Sequence, residues 1–277
     1  MNNVCQCTRP GSPAVARDLF QGTVPYYVRY RVPYPEELLT RIRDRAAISG
    51  DGCLLDLGSG TGEIALRLAP HFRAVTAVEP DEAMRTAGIQ KMQDQQIRNV
   101  EWLPQMAEEF TAGDDTFELV SIGAAFHWMD RPRLARRIRE WLVPGQPLVI
   151  LGYTSIWSGT AEWLRLVREV LQRCLGEKRR AGSGNYPELA QPHEQVLLEA
   201  DFQFEEIKYQ HAQEWTLADL IGNLNSTSFA SPAVLGEKRQ AFEADLRQTL
   251  LAYDSSGSYT EEMTFYALLA WPCRTYR

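Results

Sequence analysis

The stretch from Cys53 to Gly62, Cys-Leu-Leu-Asp-Leu-Gly-Ser-Gly-Thr-Gly, constrains the fold of this chain more than any other. Its first half, Cys53 to Leu57, is apolar with one embedded acid, which is typical of a buried parallel strand. Three glycines then alternate with other residues: Gly58, Gly60 and Gly62. Apolar residues at helical spacing begin near Glu63. A strand that turns through glycine into a helix is expected to offer a ligand free backbone N–H groups and a positive dipole end.

The spacing of the glycines separates two classes of cofactor. The dinucleotide fingerprint is G-x-G-x-x-G, in which the third glycine packs helix on strand and the pyrophosphate lies over the turn. Here the spacing is G-x-G-x-G, and Glu63 stands where that third glycine should fall. A carboxylate is unfavourable beside a pyrophosphate, and Asp56 on the strand favours a cationic ligand. A nicotinamide-dependent oxidoreductase is therefore the weaker hypothesis.

The next predicted strand, Val75 to Glu79, ends in an acid followed by Pro80. A carboxylate has two acceptor oxygens, which match the two hydroxyl donors of a ribose diol. The alternative is that Glu79 caps the helix predicted from Asp81 to Ile89.

The string D-L-G-S-G-T-G, with an acid at the end of the following strand, resembles the Rossmann-like (class I) S-adenosylmethionine-dependent methyltransferases. The resemblance implies that S-adenosyl-L-methionine is the cofactor, S-adenosyl-L-homocysteine is the product, and Glu79 holds the ribose. The cofactor-binding residues that we predict are Asp56, Gly58, Ser59, Gly60, Gly62, Glu79, Pro80, Met106, Ala107, Gly123 and Arg31.

The segment after the third predicted strand, Val100 to Pro104, departs from the family pattern. Relatives often show G-D-A-E where this chain has Met106 in place of the acid. A thioether packs on a purine face but cannot accept a hydrogen bond from the exocyclic amine. The adenine edge is then expected to rely on main-chain groups of Met106 and Ala107.

The segment before the first predicted helix, Glu36 to Ala47, is rich in tyrosine and arginine. Such groups are costly to bury without partners. The pattern Tyr27, Arg31, Pro33 and Tyr34 resembles a lid that covers the methionine end of the cofactor. The resemblance makes Tyr27 a catalytic candidate and pairs Arg31 with the cofactor carboxylate. The alternative is aromatic packing on the core.

The fourth predicted strand, Phe117 to Gly123, continues into the string F-H-W-M-D. Ligands of open α/β sheets lie beyond the carboxyl ends of the strands. The string resembles a methyltransferase branch that acts on small acids and natural products. His127, with an unperturbed pKa near 6.5, is the candidate general base. The alternative is that His127 caps a short helix and fixes the loop.

Strand and helix patterns alternate to Tyr153, which predicts an α/β fold with a doubly wound sheet. The resemblance implies a seven-stranded Rossmann-like sheet whose last strand is antiparallel, with a helical substrate cap. The predicted parts are a flexible tail (1–16), lid helices (17–48), the cofactor-binding core (49–153), the cap (154–192 and 216–255) and the final strands (193–215 and 256–277). The last predicted helix of the cap extends from Ala233 to Leu251, and the last predicted strand from Met263 to Ala270.

Composition limits the remaining classes of function. The chain has 277 residues, 44% of them hydrophobic, enough to bury the core of one large domain. A net charge of −7 argues against a nucleic-acid partner. The basic cluster Lys178–Arg180 is interpreted as a solvated loop. No apolar run is long enough to predict a membrane span.

The cysteines and histidines predict neither a disulfide framework nor a metal site. The five cysteines are odd in number and scattered, which fits a reducing compartment, and no N-terminal apolar segment is present; we expect a cytoplasmic protein. Cys5-x-Cys7 lacks a second pair for zinc. The four histidines are dispersed and none pairs with an acid at ligand spacing.

The predicted function is methyl transfer to a small-molecule acceptor, with no metal and a homodimer possible. Acids in the cap, such as Glu162, Glu194 and Asp219, slightly favour N-methylation of an amino-sugar or natural-product scaffold. The alternatives are O-methylation of a small hydroxyl or carboxylic acid, and a cyclase that keeps the cofactor without transferring methyl.

Overall fold

Seven strands form one sheet in the computed structural model, which describes residues 19–273. The predicted tail over residues 1–16 lies outside the described residues. The strands are β1 (Cys53–Leu57), β2 (Ala74–Val78), β3 (Val100–Leu103), β4 (Leu119–Gly123), β5 (Leu148–Tyr153), β6 (Phe202–Thr216) and β7 (Ser258–Pro272).

The order across the sheet is β3-β2-β1-β4-β5-β7-β6. The first five strands are parallel, and β7 runs antiparallel to both β5 and β6. This arrangement confirms the predicted seven-stranded, doubly wound sheet with an antiparallel last strand. The order reverses between β1 and β4, so their carboxyl ends form the topological switch point at which ligands bind in such sheets.

Helices cover both faces of the sheet, because β1, β4 and β5 are buried on both sides. The helices are α1 (Val24–Tyr30), α2 (Glu36–Ala46), α3 (Ala65–Leu68), α4 (Glu82–Asp94), α5 (Arg131–Trp141), α6 (Glu162–Leu175), α7 (His193–Glu199), α8 (Leu217–Asn225), α9 (Pro232–Leu235) and α10 (Arg239–Tyr253). Short 3₁₀ turns follow α3, β4 and α9.

Side-chain caps explain where three of these helices begin. The carboxylate of Asp81 accepts a hydrogen bond from the Met84 amide at 2.9 Å, and that of Asp130 accepts one from the Arg133 amide at 3.3 Å. The Thr216 hydroxyl accepts one from the Asp219 amide at 3.1 Å. Each cap satisfies an N–H group that has no partner within its own helix.

Two predicted helices have different boundaries in the structure. The helix expected from Glu63 is a turn followed by α3, which ends in a 3₁₀ turn at Ala69–His71. The helix expected from Ala233 to Leu251 is divided into α9 and α10, because Gly236 leaves the helical region with a φ of 51°. The final strand is longer than predicted, since β7 pairs with β6 along its whole length.

The part of the chain between β5 and β7 contains the segments predicted to form the cap. Helix α6 packs against α10, and α1 packs against α8. Between α6 and α7, a small hairpin pairs Arg180–Ala181 with Gly184–Asn185. Within residues 19–273, no helix has the length and apolar character that a membrane span requires.

Candidate active site

Two adjoining cavities lie at the carboxyl ends of β1 and β4. The smaller one, the turn cleft, is lined by residues of the glycine turn, of β4 and of α1. The large cavity has a volume of about 490 Å³ and extends from β5 to the segment after α8. Residues common to both linings are Tyr27, Arg31, Val32, Ala124 and Tyr153.

The backbone N–H groups of the glycine turn are used inside the protein. The Gly58 and Ser59 amides both donate to the Val78 carbonyl, at 2.9 and 3.1 Å, and the Gly62 amide donates to the Ser59 carbonyl at 2.8 Å. The Gly60 amide donates to Glu79 Oε2 at 2.9 Å. For these four amides the expectation of free N–H groups is not met, because the turn folds back onto β2. These four amides have no free hydrogen for a pyrophosphate.

Glycine is required in this turn by conformation and by space. Gly58, Gly60 and Gly62 all have positive φ values of 56–80°, which side chains rarely adopt. A Cβ on Gly58 would also lie 2.8 Å from that of Ala125 and 3.0 Å from Met129 Cε. The turn thus runs in contact with the loop after β4.

Asp56 is buried beneath the turn, in the lining of the turn cleft. Its Oδ1 accepts a hydrogen bond from the Ser121 hydroxyl at 2.7 Å, and its Oδ2 accepts one from the Ala65 amide at 3.2 Å. Burial raises the pKa of Asp56 to about 7, although both hydrogen bonds act in the opposite direction. The aspartate therefore ties β1 to β4 and to α3 at the switch point.

Glu79 follows β2 and is held from both sides. Its Oε2 accepts from the Gly60 amide and its Oε1 from the Asp81 amide, each at 2.9 Å. Burial raises its pKa, which the two amide bonds partly offset. The next residue, Pro80, is pinned through its carbonyl by Arg85 Nη1 at 3.0 Å.

Met106 and Ala107 form a turn after β3. The Met106 amide donates to Glu109 Oε2 at 3.3 Å, and its carbonyl accepts from Glu109 and Phe110. Ala107 is buried. Among the described residues its amide has no hydrogen-bond partner, so of the two predicted backbone donors Ala107 is the free one. Neither residue lines the turn cleft or the large cavity.

Tyr27 and Arg31 lie on and just after α1, in the wall between the two cavities. Arg31 Nη1 donates to the Tyr153 hydroxyl at 2.9 Å, and Nη2 donates to the Ser226 carbonyl at 3.1 Å. Its guanidinium carbon lies 4.8 Å from the centre of the Tyr27 ring. Burial raises the pKa of Tyr27 to about 12, despite the opposing charge of Arg31. The phenol therefore stays protonated at neutral pH.

Three polar atoms in the lining of the turn cleft are buried without a hydrogen-bond partner in the described part of the chain. They are Ser59 Oγ, the Tyr34 hydroxyl and Arg31 Nε. Gly123 leaves space for the Tyr34 hydroxyl, because a Cβ at position 123 would lie 3.3 Å from that oxygen and 2.5 Å from Ile64 Cδ1. Unsatisfied buried donors and acceptors of this kind fit a polar ligand.

His127 lies in the 3₁₀ turn Phe126–Trp128, in the lining of the large cavity. Its ring packs against Trp128 and Tyr186, with centroid distances of 4.6 and 5.5 Å. Burial, followed by the charges of His193, Arg179 and Arg131, lowers the pKa of His127 to about 3. The ring is therefore neutral at physiological pH. The adjacent helix is capped by Asp130 instead.

Arg179 is a cavity residue that the sequence interpretation missed. The cluster Lys178–Arg180 was expected to be solvated, but the Arg179 side chain lines the large cavity. The hairpin Arg180–Asn185 folds inward, because the Gly182 amide donates to the Ser228 carbonyl at 2.7 Å. The local signal, three basic residues between glycines, contains no information about this distant contact.

No group of three or more histidine, cysteine, aspartate or glutamate side chains with metal-binding geometry occurs within residues 19–273. Cys5 and Cys7 lie outside the described residues.

The chain resembles known methyltransferases in sequence. A family model described as a methyltransferase domain matches residues 54–145. An uncharacterized methyltransferase of Schizosaccharomyces pombe is 23% identical over 227 residues, covering 80% of this chain and 83% of that protein. One of Mycobacterium tuberculosis is 30% identical over 54% of this chain and 56% of that protein. The trans-aconitate 2-methyltransferase of Deinococcus radiodurans is 34% identical over 35% of this chain and 36% of that protein. The chain thus spans about half of the second relative and a third of the last.

Solved structures share the fold. A putative type II methyltransferase from Anaeromyxobacter dehalogenans has a TM-score of 0.60 at 21% identity, over 89% of this chain and all of that one. The cyclase SpnF has a TM-score of 0.56 at 15% identity, over 92% and 93%. The phosphoethanolamine N-methyltransferase 2 of Haemonchus contortus, in complex with S-adenosyl-L-methionine, has a TM-score of 0.52 at 17% identity. The match covers 91% of this chain and 57% of that one. Together, the matching domain, these relatives and the shared fold support a class I S-adenosylmethionine-dependent methyltransferase.

Proposed function

We propose that this methyltransferase holds its cofactor along the glycine turn and a small-molecule acceptor in the large cavity. The observation that carries the proposal is the wall that the two cavities share, which contains Tyr27, Arg31 and Tyr153. Methyl transfer requires that both ligands meet at one point. The end of the turn cleft nearest this wall is the place where they can.

In this proposal, different residues around the glycine turn bind different parts of the cofactor. Glu79 binds the ribose diol, since each of its oxygens accepts only one amide hydrogen bond and keeps a lone pair free. The unpaired Ala107 amide reads the adenine. Ser59 Oγ and Arg31 Nε, both without partners in the described chain, bind the amino-acid end.

S-adenosyl-L-methionine supplies an electrophilic methyl group on a sulfonium, which is itself a good leaving group. The protein therefore mainly aligns the reactants and excludes water, and alignment alone is worth roughly 7–11 kcal/mol. Tyr27, which is protonated at neutral pH, orients the acceptor by donating a hydrogen bond to it. Neutral His127 has a free acceptor nitrogen, but the low pKa of its conjugate acid makes it a weak base. This pair suits an acceptor atom that needs little deprotonation.

Three of the acids that favoured an amino sugar are used outside the cavity, whereas a fourth, Glu194, lines it. Glu162 pairs with the exposed Arg165 at 2.5 Å, and Glu214 accepts from the Thr260 hydroxyl at 2.7 Å. Asp219 contacts the capping hydroxyl of Thr216 at 2.6 Å. The preference for N-methylation therefore loses three of the acids that supported it. O-methylation, as the name of the trans-aconitate relative suggests, becomes the better proposal.

The test begins with calorimetric titration of S-adenosylhomocysteine, with NADH as the control. We expect micromolar binding of the first and none of the second. A labelled-methyl screen over carboxylic acids, phenols, amines and sugars then identifies the acceptor class. Binding of NADH alone would contradict the proposal. Conversion of an acceptor without formation of S-adenosylhomocysteine would instead indicate a cyclase.

A further inference from the structure

Arg179 is held in the wall of the large cavity by backbone contacts at both ends of its hairpin. The Tyr186 amide donates to the Arg179 carbonyl at 2.8 Å, which brings the two residues side by side. The tip is tied to the segment after α8 by the bond from the Gly182 amide to the Ser228 carbonyl at 2.7 Å. The position of Arg179 is thus set by the fold and not by an ion pair.

The guanidinium group of Arg179 lies among three aromatic rings. Its carbon is 3.7 Å from the ring centre of Tyr186 and 5.4 Å from the ring centres of Trp157 and Phe229. Such faces stabilise a cation but accept few of its hydrogen bonds. Burial lowers the pKa of Arg179, although an arginine remains charged at any physiological pH.

Arg179 has no anionic partner among the described residues. No ion pair or side-chain hydrogen bond joins it to residues 19–273, and its Nε is buried and unsatisfied. Leaving a partly buried cation unpaired is costly. An anion from outside the chain would recover that cost.

Three of the other charged groups of the cavity, Arg31, Glu206 and Glu261, are already engaged. Arg31 donates to the Tyr153 hydroxyl and the Ser226 carbonyl. Glu206 pairs with Lys208 at 2.8 Å, and Glu261 accepts from Trp215 Nε1 at 3.0 Å. Glu194, in the first turn of α7, lies near His193. None of these carboxylates is within ion-pair distance of Arg179.

We propose that Arg179 binds a carboxylate of the methyl acceptor, as an anchor distinct from the atom that is methylated. The inference rests on the proposed function and names the substrate class of the same cavity. The planar guanidinium offers two parallel donors that match a carboxylate. Three glutamates line the cavity, and they disfavour a phosphate dianion more than a singly charged carboxylate.

The anchor is tested by binding, with the protein saturated in S-adenosylhomocysteine. Calorimetry compares the singly charged 3-phenylpropanoate with its neutral amide, which has nearly the same shape. We expect the carboxylate to bind at least tenfold more tightly than the amide. In Arg179→Gln this difference in affinity should disappear. Each tenfold loss of affinity corresponds to about 1.4 kcal/mol of binding free energy. Arg180→Gln, in which the lost group contacts the Ser183 carbonyl, is the matched control and should bind as wild type does.

The outcomes separate this inference from the proposed function. Equal affinity for the acid and the amide would overturn the anchor, and so would acid binding that survives in Arg179→Gln. In either case, binding of S-adenosylhomocysteine would still support the methyltransferase site. Loss of S-adenosylhomocysteine binding in the wild-type protein would overturn the proposed function instead. Tighter binding of phenethyl phosphate than of 3-phenylpropanoate would contradict the carboxylate. Arg179→Lys, which keeps the charge, should lose less affinity than Arg179→Gln and guards against misfolding of the latter.

Discussion

Glu79 is oriented by the backbone before any ligand arrives. The amides of Gly60 and Asp81 hold its two oxygens at 2.9 Å each, so the carboxylate plane is fixed relative to the glycine turn. A preorganised acceptor loses little freedom on binding, which raises affinity. The side chain is therefore both a tie between β2 and the turn and the proposed ribose ligand.

Replacing Glu79 by alanine should weaken S-adenosylhomocysteine binding at least tenfold, about 1.4 kcal/mol. Two amides would also lose their acceptor, so the variant should be less stable by about 1–3 kcal/mol. Calorimetry and thermal unfolding measure the two effects separately. Glu82→Ala, which removes an exposed acid of the same segment, is the control. Wild-type affinity in Glu79→Ala would contradict the ribose assignment.

Helix α1 is positioned over the turn cleft by its contact with α8. Asn223 Nδ2 donates to the Tyr30 carbonyl at 2.9 Å, and Arg31 reaches the Ser226 carbonyl just beyond the helix. Gly222 lies directly beneath the Tyr30 ring. The absence of a side chain on α8 at this point lets α1 approach, and α1 in turn brings Tyr27 and Arg31 to the site.

Substitution of Gly222 by alanine should loosen the contact between these two helices. Alanine is favoured over glycine in a helix by about 1 kcal/mol, but its Cβ would lie within 2.6 Å of three Tyr30 ring atoms. We expect a lower melting temperature, faster proteolysis around α1 and weaker S-adenosylhomocysteine binding. Gly113→Ala, where the new Cβ meets only Thr116 Oγ1 at 3.6 Å, should change none of these. A more stable Gly222→Ala protein would show that propensity outweighs the clash.

Across the whole molecule, several elements bring positive and neutral nitrogen groups together near His127, of which all but Arg131 line the large cavity. His127, His193, Arg131 and Arg179 come from the β4 loop, α7, α5 and the hairpin. Burial, with Arg131 next in size, lowers the pKa of His193 to about 4. Buried Asp56, whose pKa is raised to about 7, has the opposite effect on the pH dependence of stability.

Acidification should therefore destabilise the wild-type protein more than His127→Asn. Below pH 6.5 the unfolded chain protonates His127, whereas the folded protein does not until about pH 3. The stability due to the neutral ring is thus present above pH 6.5 and lost as the pH falls towards 3. Between pH 7.5 and 5, His127→Asn should lose less unfolding free energy than wild type, by on the order of 1–2 kcal/mol. Denaturant unfolding at both pH values measures this. His211→Asn, on strand β6 outside the cavity lining, should show the wild-type difference; equal differences in all three proteins would contradict the depressed pKa.

The order of the elements and the residues of the glycine turn could be predicted from the sequence, because their signals are local. Apolar runs mark β1, β4 and β5, and glycines mark the turn after β1. Glu79 directly follows β2. The identity of the cofactor follows from this short segment. The bounds of β7 and the break at Gly236 were missed, since strand pairing and a single φ decide them.

The environment of each side chain was decided only by the tertiary structure. The glycine-turn amides are occupied because β2 lies beside β1. The pKa of His127 is lowered mainly because packing buries the ring, and then because His193 and arginines from distant segments lie nearby. Arg179 faces a cavity because Gly182 bonds to Ser228, a contact between residues far apart in the chain. The sequence by itself indicated the fold and the class of cofactor. Packing between distant segments determined charge, burial and the lining of the large cavity, because the free energy of an ionisable group depends on what surrounds it.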